Sequence, residues 1–145
     1  MNIEYKIIDK TEKNILLLEQ IRLNAYQIDT SNFNIQNGFY AKDLVNHNYL
    51  VIGCFIENEL IGAAYIKDTY QSLYIDQIFI RKEYQKAPQH FGTNLLKYIL
   101  ENKDIVEKYF HTSFTYSYLD DGRNTKKFYE NLGYTETNNL MRKHL

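Results

Sequence analysis

The stretch that decides the fold runs from Leu73 to Leu100. It reads LYIDQIFI (73–80), then RKEYQKAPQHFG (81–92), then TNLLKYIL (93–100). The first segment is rich in β-branched and aromatic residues, which predicts a strand. The second is polar and ends in glycine, which predicts a loop, and the third has apolar residues at helical spacing. The order predicts a strand that leads through a loop into a helix beginning at Thr93.

The start of that helix has the chemistry of an anion site. The first backbone N–H groups of a helix have no intrahelical partner, and the helix dipole adds partial positive charge there. Gly92 allows close approach of a phosphate, Thr93 adds a hydroxyl, and Lys86 and His90 add side-chain donors. Strand–glycine–helix junctions also occur without any ligand, so this pattern alone is a weak signal.

The flanking sequence predicts a mixed sheet with helices packed on it. Upstream, the patterns predict a strand at 2–8, a helix capped by Thr11 with apolar residues Ile15, Leu18, Ile21, Leu23 and Ala25, a loop at 29–38, a short helix at 38–46, and a hairpin of strands 49–56 and 60–66 around the turn 57–59. Downstream, they predict a strand at 114–119, a turn at 120–122, a helix at 125–132 ended by Gly133, and a last strand or hairpin arm at 134–145. The predicted class is α/β (α+β).

Composition indicates one globular domain over residues 1–145. Apolar residues make up 44% and charged residues 24% of the chain, and the net charge is −1. We therefore expect no nucleic-acid partner, and no apolar run approaches the ~20 residues of a membrane span. Cys54 is the single cysteine and no secretory signal is visible at the N-terminus, so a cytoplasmic location is expected.

Two motifs resemble those of the GNAT N-acetyltransferase superfamily. The stretch 74–86 followed by 91–96 is similar to motif A, a strand that leads into a tyrosine, a Gln/Arg, a Gly-rich turn and a helix with two leucines. The stretch 125–134, with Phe128-Tyr129 and Gly133-Tyr134, looks like motif B, and 140–143 is similar to the last strand. The resemblance implies a mostly antiparallel central sheet of six to seven strands flanked by about four helices.

The Gly-rich turn departs from the family pattern. When the chain is aligned on Gly92, His90 stands where the family has its first glycine, and Ala87-Pro88 is a two-residue insertion. An alternative alignment places Gln89, Gly92 and Asn94 at the motif positions. In motif B, Gly122 replaces a frequent asparagine, and Asn124 follows two residues later.

The resemblance implies acetyl-CoA as donor and a primary amine as acceptor, which could belong to a small molecule, an amino acid, a peptide or a protein. The backbone N–H groups of Phe91 to Asn94 would hold the pyrophosphate, and the pantetheine arm would pair with Ile78, Phe79 and Ile80. The cofactor-binding set is completed by Gln85, Lys86, Gln89, His90, Gly92, Thr93, Asn124, Phe128 and Tyr129. The acceptor region, 26–48, carries no recognisable code, and a monomer and a homodimer are both compatible with the sequence.

Two residues are candidates for proton transfer. Tyr129 stands at the position of the family's frequent general-acid tyrosine; the alternative is an aromatic residue that only packs. Asp76 is a candidate base or anchor for the acceptor ammonium, and strand alternation predicts that it shares a side with Ile78 and Ile80. Its alternative is a carboxylate paired with a nearby Lys or Arg. Because the four histidines and Cys54 show no metal-ligand spacing, we predict no metal site.

Two other functions compete with an acetyltransferase. One is a non-catalytic module with this fold that binds CoA, acyl-CoA or a partner protein. The other is a nucleotide-binding regulatory domain that uses the same helix start, for which ATP rather than CoA would compete.

Overall fold

The computed structural model describes residues 1–27, 49–69, 72–110, 114–118 and 125–145. The predicted loop at 29–38, the predicted helix at 38–46, the turn at 120–122 and Asn124 lie outside these ranges.

The described chain forms one seven-stranded sheet of order β1-β2-β3-β4-β5-β7-β6. Its strands are β1 (Ile3–Ile7), β2 (Leu50–Ile56), β3 (Glu59–Asp68), β4 (Ser72–Ile80), β5 (Phe114–Tyr118), β6 (Thr135–Thr137) and β7 (Leu140–His144). Only β4 and β5 pair in parallel; the other neighbours are antiparallel. This confirms the predicted mixed, mostly antiparallel sheet.

Four α-helices are described, together with a 3-10 turn over Lys82–Tyr84. The helices are α1 (Glu12–Ala25), α2 (Phe91–Glu101), α3 (Lys103–Ile105), which continues as a π-helical turn over Val106–Phe110, and α4 (Lys126–Glu130). Thr11 caps α1, as predicted, by accepting a hydrogen bond from the Asn14 N–H. Helix α2 begins two residues before the predicted Thr93, because Phe91 is already helical and buried. Helix α3 was not predicted from the sequence.

The sheet has an apolar core on each face. Helix α1 covers one face, where Leu18 and Ile21 meet Val51, Ala63 and Phe79. Helices α2 to α4 cover the other face, where Leu95, Leu96 and Ile99 pack with the isoleucines of β2, β3 and β4. The five apolar residues predicted for α1 are all buried.

Two turns contain residues with positive φ at the positions where the sequence predicts a turn or a helix end. Glu57 and Asn58 both have positive φ, 48° and 69°, as the tight turn of the β2–β3 hairpin requires. Gly133 ends the α4 region at φ 90°, as predicted for a helix-terminating glycine.

Helix α1 buries an ion pair against the sheet. The side chains of Glu19 and Arg22 are 1% and 6% exposed, and the Arg22 Nη2 lies 3.1 Å from the Glu19 Oε2. The Tyr65 hydroxyl of β3 donates to the Glu19 Oε1 at 3.5 Å. Burial and the Glu19 charge both raise the pKa of Tyr65, so its hydroxyl remains a donor. The pair therefore ties α1 to the middle of the sheet.

Removing one partner of this pair is expected to destabilise the fold strongly. In Arg22→Met, the Tyr65 hydroxyl at 3.5 Å is the one hydrogen-bond partner that Glu19 keeps among the described residues, and a loss of about 3–5 kcal/mol in unfolding free energy is expected. The double variant Glu19→Met/Arg22→Met buries no unpaired charge and should lose less. Urea denaturation of both variants provides the measurement. A double variant less stable than Arg22→Met would contradict this account.

Candidate active site

A gap opens between β4 and β5 in the centre of the sheet. The two strands pair over three positions only, Ser72 with Phe114, Leu73 with Thr115, and Tyr74 with Tyr116. Strand β4 continues to Ile80, but no described strand pairs with that side of it beyond Tyr74. The second half of β4 therefore has an open edge.

The backbone groups of Ile78 and Ile80 point to this open edge. The Arg81 N–H donates to the Ile61 carbonyl of β3 at 2.7 Å. Because antiparallel pairs alternate between bonded and non-bonded positions, Phe79 opposite Ala63 is also bonded to β3, and Ile78 and Ile80 face away. Of the three residues predicted to meet pantetheine, Ile78 and Ile80 offer backbone groups at the edge, whereas Phe79 does not.

Two side chains already bind carbonyl groups along this edge. The single hydrogen of the Tyr26 hydroxyl is shared between the Gln77 Oε1 at 2.8 Å and the Ile78 carbonyl at 3.3 Å. The Gln85 Nε2 donates to the Ile80 carbonyl at 2.9 Å and to the Ala25 carbonyl at 2.7 Å. The side chain of Gln85 therefore connects the end of α1 to the end of β4 by hydrogen bonds.

The start of α2 lies beyond Ile80 and carries free backbone donors. The Asn94 N–H makes the first helical bond, to the His90 carbonyl at 3.0 Å. The N–H groups of Phe91, Gly92 and Thr93 have no backbone acceptor among the described residues, and His90 makes no side-chain capping bond. Three convergent N–H groups at a helix start suit a phosphate group. Asn94 was predicted to contribute a fourth N–H, but it is engaged within the helix.

The turn before α2 explains how the sequence departs from the family pattern. His90 has φ 52° and ψ 56°, the left-handed conformation that glycine adopts most easily. This conformation favours the alignment in which His90 replaces the first glycine. The insertion forms its own turn, in which the His90 N–H donates to the Ala87 carbonyl at 3.2 Å and Pro88 follows Ala87. Lys86 and Gln89 are exposed beside it.

The space in front of Gly92 is compatible with a close ligand. A Cβ added at Gly92 would meet Ile80 Cγ1 and Phe128 Cε2 at 3.7 Å, which is ordinary contact. Phe128 belongs to α4, so α4 packs near the start of α2. The residues present therefore fit a pyrophosphate at the α2 start and a thiol-bearing arm along Ile80 and Ile78.

Tyr129 lies buried beside the point where β4 and β5 part. Its side chain is 4% exposed and packs edge-on against Phe128 and Tyr134. Its hydroxyl donates to the Ser117 Oγ at 3.1 Å, and Ser117 donates to the Ile75 carbonyl at 2.9 Å. Tyr129 is therefore both a packing aromatic residue and a hydroxyl aimed at the start of the gap.

The Asp76 side chain was predicted to share a face of β4 with Ile78 and Ile80, but it lies on the opposite face. Tyr65 pairs with Gln77 and Ile66 with Ile75, so Asp76 is the extra residue of a β-bulge. The Asp76 carboxylate accepts from the Tyr49 hydroxyl at 2.9 Å and from the Tyr74 hydroxyl at 3.1 Å, and Tyr49 belongs to the α1-side core. Ile78 and Ile80 pack with the α2-side core. The predicted shared face was wrong because the bulge interrupts strand alternation.

The surroundings of Asp76 are aromatic. The Lys67 Nζ lies 5.1 Å from the Tyr49 ring centroid and 5.8 Å from that of Tyr74, and Tyr74 stacks on Tyr116 at 4.9 Å. Burial, and next the Asp76 charge, raise the pKa of Tyr74, so its hydroxyl stays a donor to Asp76. Within the part of the chain that the structure describes, no Lys or Arg forms an ion pair with Asp76.

Sequence reasoning missed Tyr26, Tyr49 and Ser117. A hydroxyl residue on a strand or helix carries no motif of its own, so only the fold could bring these groups to β4. A signal for Ser117 existed in the alternation of Thr115 and Ser117 along β5, which places both hydroxyls on one face.

Other reactive groups contribute little. Burial raises the pKa of the Cys54 thiol to about 11, so it is not a nucleophile at neutral pH. In the ranges that the structure covers, no three His, Cys, Asp or Glu side chains come together in a way that suits a metal ion. None of the described helices combines the length and apolar character needed to cross a membrane.

Several solved structures share this fold over nearly the whole chain. The PaiA N-acetyltransferase of Thermoplasma acidophilum, solved in complex with coenzyme A, gives a TM-score of 0.73 at 17% identity and full coverage of both chains. The ribosomal-protein-S18-alanine N-acetyltransferase of Escherichia coli gives 0.76 at 13% identity, covering 99% of this chain and 94% of that one. An aminoglycoside acetyltransferase from an uncultured soil metagenomic sample, solved with trehalose, gives 0.67 at 19%, covering 93% and 90%.

A search of curated protein sequences finds no match. The model of the acetyltransferase (GNAT) domain matches residues 19–144, which is most of the chain. The match includes α2, α4 and the whole of β4, where the gap and its donors lie. The chain therefore belongs to the GNAT acetyltransferase family.

Proposed function

We propose that this protein transfers an acetyl group from acetyl-CoA to a primary amine by direct attack. The observation that carries the proposal is the open edge of β4, which has the free N–H groups around Gly92 at one end and Tyr129, linked through Ser117 to the Ile75 carbonyl, at the other. Asp76 reaches the same part of β4 from the opposite face. Family membership and the coenzyme A in a structural neighbour support the same donor.

The binding of the donor follows from the free polar groups. The N–H groups of Phe91, Gly92 and Thr93 would hold the pyrophosphate, with Lys86 exposed nearby to add charge. The Ile78 and Ile80 N–H groups would pair with the amides of the pantetheine arm as a strand would. The thioester then lies where β4 and β5 part, next to the hydroxyl of Tyr129.

The chemistry divides between the two faces of the sheet. A neutral amine nitrogen attacks the acetyl carbon, the carbon–sulfur bond breaks, and sulfur leaves with the bonding electron pair. The Tyr129 hydroxyl would give its proton to sulfur, and Asp76 would take the proton that the amine loses. Acid and base on opposite faces would keep the two proton transfers apart.

We propose the chemical class of the acceptor, a primary amine, and not a particular molecule. The structural neighbours include enzymes named for aminoglycosides and for an alanine of a ribosomal protein. The carboxylate of Asp76 and the rings of Tyr49 and Tyr74 suit an ammonium group. We propose a single catalytic domain acting in the cytoplasm, as a monomer or homodimer.

One observation favours a second candidate, a module that binds CoA without turnover. His90 holds a Cβ in the left-handed position where the family has glycine, and the Ala87-Pro88 turn reshapes the approach to the phosphate site. Retained CoA binding without release of free thiol across a panel of amines would favour this candidate.

Acetyl-CoA is expected to stabilise the protein, and ATP is not. At a concentration about 100 times its dissociation constant a ligand adds roughly 2.7 kcal/mol, which raises the melting temperature by several degrees in a domain of this size. In Gly92→Asp the carboxylate suits the helix start, so the fold is kept, but it repels phosphate and should remove most of the shift. Gly92→Ala is the matched control: its methyl group would meet Ile80 and Phe128 at ordinary contact distance and adds no charge, so this variant should keep more of the shift than Gly92→Asp. An equal shift in wild type and Gly92→Asp would contradict the proposed phosphate site.

Replacing the Tyr129 hydroxyl is expected to slow turnover without loss of donor binding. Tyr129→Phe keeps the ring packing, and kcat should fall roughly 10- to 100-fold while the affinity for CoA stays within a few-fold. Release of free thiol from acetyl-CoA gives the rate. Unchanged kcat would remove Tyr129 from the mechanism.

Replacing the Asp76 carboxylate is expected to affect the acceptor side only. In Asp76→Asn the KM for the amine should rise or kcat should fall, by roughly tenfold or more, because the amide is neither an anion nor a base. Acetyl-CoA binding should not change, which thermal shift checks. Tyr49→Phe, which leaves the carboxylate in place, should have a smaller effect. A variant with wild-type kcat, amine KM and pH dependence would exclude both proposed roles.

A further inference from the structure

Two hydroxyl side chains of β5 connect buried tyrosines to the backbone of β4. The Thr115 hydroxyl donates to the Leu73 carbonyl at 2.9 Å and lies 3.2 Å from the Tyr134 hydroxyl. Ser117, two residues further on, donates to the Ile75 carbonyl and accepts from Tyr129. Both side chains are buried, at 0% and 4% exposure.

The two connections differ in their place relative to the gap. Thr115 pairs with Leu73 inside the short β4–β5 ladder, so its hydroxyl supplements an existing strand contact. Ser117 lies one position beyond the last ladder pair, Tyr74 with Tyr116. The Ser117 hydroxyl therefore joins the strands at the point where they begin to part, and its tyrosine partner is Tyr129.

The direction of these hydrogen bonds matters for a proton donor. In the structure, the Tyr129 hydroxyl gives its hydrogen to the Ser117 Oγ, and Ser117 gives its own to the Ile75 carbonyl. A tyrosine that has given its proton away becomes a phenolate, which needs a donor in place of an acceptor. A serine hydroxyl is both, and it can turn its hydrogen from the carbonyl to the phenolate oxygen. Such a bond to a charged oxygen is stronger than one between neutral groups.

We propose that Ser117 is a positioning residue for acetyl transfer, which holds the hydroxyl of Tyr129 at the gap and then donates to the phenolate that proton transfer creates. The inference rests on the proposed role of Tyr129. In the step, the amine nitrogen bonds to the acetyl carbon and loses a proton to Asp76, the carbon–sulfur bond breaks, and the Tyr129 proton passes to sulfur. The phenolate later regains a proton from solvent, and Ser117 returns to the Ile75 carbonyl.

Hydroxylamine allows the test to be made with the acceptor unidentified. It is small and unprotonated at neutral pH, and its product with acetyl-CoA, acetohydroxamate, is measured by colour with ferric ion after subtraction of the uncatalysed rate. In Ser117→Ala, kcat is expected to fall about tenfold, with the KM for acetyl-CoA within twofold. Ser117→Thr, which restores a hydroxyl, should recover most of the rate. Thr115→Val, which removes the neighbouring hydroxyl, should leave kcat within twofold.

A double-mutant cycle separates this role from a structural one. If Ser117 acts through the Tyr129 hydroxyl, Ser117→Ala should change kcat less than twofold in a Tyr129→Phe background. An equal tenfold loss in both backgrounds, or no loss in either, would overturn the proposal for Ser117 while leaving that for Tyr129 intact. An unchanged kcat in Tyr129→Phe alone would overturn the acid and the serine together. A wild-type protein that binds CoA but transfers acetyl neither to hydroxylamine nor to any of a panel of primary amines would overturn the transferase function itself.

Discussion

Strands β4 and β5 pair over three residues and then separate, and the rest of the site depends on that separation. On the side of β4 that faces β5, the separation leaves the backbone groups of Ile78 and Ile80 without a partner strand, although they lie in the middle of the sheet. Burying such groups unpaired is costly, so the fold compensates with side chains. Tyr26 and Gln85 donate to the two carbonyls. Tyr26 follows directly after α1, and Gln85 also donates to the Ala25 carbonyl, so both side chains connect the end of α1 to β4. The open edge is thus held in place before any ligand arrives.

A second constraint sets which groups can meet there. One extra residue in β4, Asp76, turns its carboxylate toward the α1 face, whereas Ile75 and Ile78 on either side contact the α2 face. The Ile75 carbonyl, next to Asp76 in the chain, is bound by Ser117 and so connects to Tyr129. A single peptide segment therefore has the candidate base on one side of the sheet and the candidate acid on the other. In a strand without the bulge, Asp76 would share the face of Ile78 and Ile80, which is the side where Tyr129 packs.

Much of the fold was accessible from the sequence because its signals are local. The β-branched run of β4, the cap at Thr11, the turn at Glu57-Asn58 and the helix stop at Gly133 each follow from side-chain or backbone preferences within a few residues. Motifs around Gly92 and Phe128-Tyr129 pointed to the same family that the domain match shows. The bulge at Asp76 was not accessible, because a shift between β3 and β4 depends on the register of two strands. Ser117, Tyr26 and Tyr49 were missed for the same reason, since their partners are 27 to 52 residues away or on another element.

The central claim is that the open edge of β4 binds the arm of acetyl-CoA through the backbone of Ile78 and Ile80. Amide hydrogen exchange, followed by NMR with and without saturating acetyl-CoA, tests it residue by residue. Exchange at the Ile78 and Ile80 amides is expected to slow on binding. The amide of Phe79, already bonded to β3, should change much less. Saturating binding with unchanged exchange at Ile78 and Ile80 would contradict the account.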